Sequence, residues 1–193
     1  MSESEAAASA PVSAQLIAMI GQPFDNKKVR DVVAGLGVKR VGAADNGPGA
    51  LSSSIIWIAK AAVRIDVYRP KELSQLTATP FADGDVWLVG SVQFLAAGAD
   101  DRIKTPFAGP LPAGLTMDST PQDCIAAYGP ADLDDEHERP GFSGRVLGWR
   151  KGGLNTAITF DYKGGGCAML NHTVCLVGCM GAWRYTYAEV FAP

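Results

Sequence analysis

Apolar residues fall at Val29, Val32, Val33 and Leu36, spacings of three, one and three that place them on one stripe of a helix. Asp25 or Asn26 is positioned to accept from the first free amides, and Gly37 to take the left-handed conformation that ends the helix. A shorter stripe at Val12, Leu16, Ile17 and Ile20 predicts a helix before it, with Ser13 as cap and Gly21 as stop. The period then changes. Ile55 to Ala59 reads as a strand, and Val63, Ile65 and Val67 alternate with Arg64, Asp66 and Tyr68, which marks a sheet with one buried and one wet face. Pro70 to Pro80 reads as a polar excursion and Asp83 to Asp85 as a tight turn. Val86 to Ala96 follows as a strand in which Gly90 marks a bulge. Ala97 to Pro110 carries Gly98, Pro106, Gly109 and Pro110 and reads as a linker.

The second half repeats the order. Thr120, Pro121 and Asp123 form a capping box at the start of a helix whose Cys124, Ile125 and Tyr128 face inward, and Gly129 and Pro130 end it. A polar loop is expected from Ala131 to Gly144, then strands over Val146 to Arg150 and Thr156 to Tyr162. A glycine turn comes next at Lys163 to Gly166; Cys167 to Leu170 and Thr173 to Val177 read as one bent strand or two. Trp183 to Phe191 closes the chain as a strand with Trp183, Tyr185 and Tyr187 on one face. Superposing Asp31 on Asp123, Ala34 on Ala126, Gly37 on Gly129 and Trp57 on Trp149 aligns the halves without a gap at an offset of 92 residues. The expected fold class is therefore α+β, as two tandem related units of short helices on antiparallel strands. The division is a tail over residues 1–11, an N-terminal unit over 12–104 and a C-terminal unit over 105–193.

Composition narrows the function. A chain of 193 residues with 47% hydrophobic residues buries an ordinary core. Its formal net charge of -3 argues against nonspecific binding of nucleic acid, which requires clustered Lys and Arg. No apolar run approaches the roughly 20 residues of a membrane span. The N-terminus has no basic region ahead of an apolar stretch, so the expected location is cytoplasmic, with Cys124, Cys167, Cys175 and Cys179 as reduced thiols.

Four stretches invite chemistry. Gly164 to Gly166 precedes a strand rather than a helix and comes after its lysine, so it reads as a hairpin turn and not a phosphate loop. Cys167, His172, Cys175 and Cys179 lack paired zinc-ligand spacing, and neither a metal nor a cofactor is expected. Cys167 with His172 is the one conceivable nucleophile pair, which makes a Cys/His-dependent hydrolase or transferase the enzymatic alternative. Asp132, Asp134, Asp135, Glu136 and Glu138 crowd five carboxylates into seven residues, a stretch suited to a solvated loop or a basic partner. Trp149, Trp183, Tyr185 and Tyr187 supply candidate apolar anchors for the same partner. A small-ligand or structural module, dimerising through the C-terminal aromatic strand, is the remaining alternative.

The succession of features from Leu-Pro-x-Gly-Leu (Leu111 to Leu115) through the capped helix ending Tyr-Gly-Pro (Tyr128 to Pro130), the polar loop, the tryptophan strand and Phe160 to Gly164 resembles bacterial immunity proteins of polymorphic toxin systems, of the type VI secretion kind. The layout is also similar to the tandem repeats of the beta-lactamase inhibitor protein and to small outer-membrane assembly lipoproteins. Residues 111–178 carry the resemblance most closely, and 16–96 more loosely. It implies a non-enzymatic cytosolic inhibitor that occludes the active site of a cognate toxin; charge and the lack of an apolar span add the expectation of no nucleic acid and no membrane as partner.

Overall fold

The computed structural model describes residues 10–38, 53–139, 142–162 and 166–179. Seven strands form one antiparallel sheet: β1 Ser53–Ile58, β2 Val63–Tyr68, β3 Leu88–Leu95, β4 Leu133–Arg139, β5 Phe142–Lys151, β6 Leu154–Asp161 and β7 Ala168–Leu176. Their order across the sheet is β1-β2-β3-β7-β6-β5-β4. The first three strands make one meander and the last four another, and β7 returns to pair antiparallel with β3. The two halves of the chain thus share one sheet, and the fold is α+β. β5 and β6 join through Gly152 and Gly153, both at positive φ as a two-residue hairpin turn of this hand requires.

Among the described residues four α-helices accompany the sheet: α1 Val12–Ile17, α2 Lys27–Gly35, α3 Pro70–Thr77 and α4 Pro121–Tyr128. Leu16 of α1, Val29 and Val33 of α2 and Cys124 of α4 enter one core with Ile65, Val92, Phe94, Leu147, Ile158 and Phe160 of the sheet. Asn26 caps α2 by accepting from Lys28 N at 2.9 Å. Ser13 does not cap α1. It lies inside the helix, buried, and its hydroxyl donates to the Pro110 carbonyl at 2.5 Å, tying the first helix to the chain segment that precedes α4. The stretch from residue 97 to 110 likewise does more than link, since Ile103 and Phe107 are core residues.

Two readings of local structure are corrected. Residues 70–80 are not merely a polar excursion: Pro70 starts α3, where its missing amide hydrogen costs nothing, and Leu73 is buried against Tyr68, Leu88 and Cys175 on the other face of the sheet. The second face is also not wet where alternation predicted it. Asp66 is only 2% exposed, and it accepts from Ser91 Oγ at 2.8 Å, from Gln93 Nε2 at 3.3 Å and from Arg64 Nε at 2.8 Å. Burial of a carboxylate is tolerable there because three donors replace its water. Gly90 is the expected irregularity in β3, where the pairing with β2 slips. A Cβ at Gly90 would lie 2.4 Å from the Tyr68 ring, so the position demands glycine.

Candidate functional site

The acidic stretch is a strand rather than a loop. β4 pairs with β5 from Leu133↔Gly148 to Arg139↔Phe142, and among the described residues it is the last strand of the sheet. Charge misled the expectation: an edge strand is hydrogen-bonded on one side only, so it tolerates a polar sequence that a central strand would not. Alternation survives beneath the charge. Asp132, Asp134, Glu136 and Glu138 are exposed, and Leu133, Asp135 and His137 are half-buried.

Most of these carboxylates have local partners. Arg145 on β5 grips Asp134 with two bonds of 2.7 and 2.6 Å, and that bidentate contact holds the Asp134 carboxyl below its usual range. Tyr162 Oη donates to Glu136 at 3.1 Å, and Arg150 N donates to Asp132 at 2.8 Å. His137 Nε2 lies 3.0 Å from Asp135 Oδ2, although it falls short of hydrogen-bond alignment. The guanidinium of Arg145 thus balances the charge of Asp134, while Asp132, Glu136 and Glu138 stay open to solvent.

Beside the start of β4 lies a groove of about 520 Å³, walled by Pro112 and Ala113, the end of α4 (Ala127, Tyr128), Pro130, and Trp149 and Val174 of the sheet. Asp132, Arg150 and Lys151 also line it, with the Arg150 backbone amide bonded to Asp132. Trp149 is held in place: its Nε1 donates to the Gly129 carbonyl at 3.0 Å, and its ring centroid is 5.0 Å from that of Tyr128. The glycine that ends α4 thereby presents the carbonyl that orients the tryptophan 20 residues later. Behind the groove, Tyr128 Oη and His172 Nε2 are 2.9 Å apart. His172 is fully buried, and loss of water pushes its pKa down to about 4, so the ring is neutral. Its buried Nδ1 has no well-aligned hydrogen-bond partner among the described residues.

The structure thus brings Asp132 and Trp149 into one groove and aligns Asp134, Glu136 and Glu138 beyond it, while Trp183, Tyr185 and Tyr187 lie outside the described residues. Sequence reasoning missed the groove residues Ile17, Ala113 and Tyr128 as a site. They come together only because β7 returns beside β3, a pairing that no local pattern announces. Cys167 is exposed and burial pushes its thiol up; Cys124 is pushed up to about 12 by burial, and Cys175 well up for the same reason. Among the described residues, no group of three or more His, Cys, Asp or Glu is placed to hold a metal ion, and no helix is long and apolar enough to cross a membrane. No protein-family model, curated protein or solved structure matches the chain.

Proposed function

We propose that this chain is a non-enzymatic binding protein whose acidic edge strand engages a basic surface of a partner protein, acting as an inhibitor. The observation that carries this reading is the exposed row Asp132, Glu136 and Glu138, with Asp134 paired to Arg145, at every second residue from just before β4 along it. Alternate residues of a strand lie about 6.8 Å apart. Like charges at that pitch sum to a local negative potential that draws in a cationic partner and orients it on approach. The specific form implied by the resemblance to immunity proteins is neutralisation of a toxin with a basic catalytic cleft, such as a nuclease, in the cytoplasm. The enzymatic alternative gains little support, since His172 already shares its Nε2 with Tyr128 and the Cys167 thiol is made harder to ionise.

The test is charge reversal. A Glu136→Lys, Glu138→Lys variant, with Tyr162→Phe as control for the lost Tyr162 bond, is compared with the native chain in capture from native lysate and in association kinetics. The expected result is a partner whose association slows about tenfold or more on reversal and whose native binding weakens with salt. Association equally fast with the reversed strand would sink the reading.

A further inference from the structure

We infer that the groove beside α4 is the anchor pocket of the same interface, and that its occupant is an extended segment of the partner with one apolar side chain in the groove and Lys or Arg at every second residue along β4. This inference rests on the proposed binding role and goes further, by specifying the chemistry and register of what binds.

Three observations lead to it. First, groove and acidic row face the same side of the sheet. Asp134 lies in register with Leu147, and through it with Ile158 and His172. Trp149 lies in register with Thr156 and Val174, two residues along the same face. Asp132 belongs to both features, as a residue lining the groove and as the first carboxylate of the row. Secondly, β4 is a terminal strand whose only strand partner among the described residues is β5. A segment added beside it repeats its side chains at about 6.8 Å, the pitch of the acidic row. Thirdly, the two ends of this face differ in charge, even though Arg145 pairs with Asp134 inside the row. Lys151, two residues beyond Trp149 on the same face, bounds the groove at one end, and the carboxylates extend from the other. A basic residue at the Lys151 end would meet like charge, so the partner's cations are confined to the Glu138 side of the anchor. Repulsion at one end and attraction at the other fix a register that either alone would leave free. A pocket with apolar walls such as Tyr128, Trp149 and Val174 beside charged residues is also the arrangement that concentrates binding energy in one anchor.

The probes are two synthetic peptides of the same composition: one with a leucine followed by lysines at alternate positions separated by threonines, the other with the lysines in one block. Each is titrated into the full chain, following peptide anisotropy and the indole proton of Trp149, assigned with Trp149→Phe. The alternating peptide should bind about tenfold tighter than the block peptide and shift the Trp149 signal. Ala127 is exposed on α4 and lines the groove, so Ala127→Trp fills the groove without disturbing the core. Replacing the peptide's leucine by alanine should then cost about tenfold on the native chain and nothing on this variant, a cycle that isolates the anchor. Lys151→Glu gives a second check, and should admit a peptide with a lysine on that side of its leucine. Equal binding of both peptides with an unmoved Trp149 overturns the groove inference and leaves the acidic-edge reading standing. Partner association that is indifferent to reversal of Glu136 and Glu138 removes the acidic-edge reading itself.

Discussion

The two helix–glycine–tryptophan stretches, 31–57 and 123–149, match in sequence at an offset of 92 residues and yet arrive at different structures. In the second, Trp149 is buried and bonded to the carbonyl of the glycine that ends its helix. In the first, Trp57 lies in register with Arg64, Gln93 and Thr173, on the face opposite to Trp149. There it is half-buried, with the guanidinium carbons of Arg64 and Arg102 at 5.4 and 4.7 Å from its ring. The difference comes from the neighbours of each tryptophan across the sheet. Trp149 shares a face with apolar Val174 and Val92, whereas the Trp57 face carries the Asp66 network. Equal spacing along a chain does not give equal facing in a sheet, because one step of register turns every side chain over.

The largest test of that contrast is truncation of each ring. Trp149→Ala should cost about 4 kcal/mol in denaturant unfolding, because it empties a buried site and strands the Gly129 carbonyl. Trp57→Ala should cost about 1 kcal/mol, the scale of a partly exposed cation–π contact. Equal losses would mean that the two tryptophans are equivalent after all.

The next effect belongs to the second region alone. His172 has its pKa pushed down from 6.5 to about 4 by burial. The unfolded chain therefore binds the proton first as pH falls. Stability contributed by the neutral ring is complete above about 6.5 and is lost progressively down to about 4, by about 3 kcal/mol in all. Unfolding curves across that range, compared with His172→Gln, should show the slope only in the native chain. A slope that survives the substitution would assign it to other groups.

The smallest effect sharpens what the two regions share. Thr120→Ala removes the capping box of α4, in which Asp123 N donates to Thr120 Oγ1 at 3.2 Å and Thr120 N to Asp123 Oδ2 at 2.8 Å. Asn26→Ala removes the cap of α2. Each should lower stability by about 1 kcal/mol. A marked inequality, read from unfolding midpoints at constant slope, would show that the two helices are held by different means.

Local chemistry was what the chain disclosed in advance. The caps of α2 and α4 arise from side chains within a few residues, and the irregularity at Gly90 is marked by the glycine itself, so the sequence displays them directly. α3 escaped notice because Leu73 and Leu76 are its only large apolar residues, too few to set a period. β4 escaped because carboxylates hid the alternation of Leu133, Asp135 and His137. The groove was hidden for a deeper reason: Ile17, Ala113, Tyr128, Trp149 and Val174 converge only through long-range strand pairing.

The carboxylates of β4 also bear on how copies of this chain meet one another. Among the described residues the sheet ends at β1 and β4, and in a concentrated solution two molecules that met at β4 would oppose two rows of exposed acids. That repulsion raises the barrier to edge-to-edge growth and keeps the open strand available. On this view the row serves a colloidal purpose beside the recognition role proposed for it, and neutralising it would favour association of copies through β4.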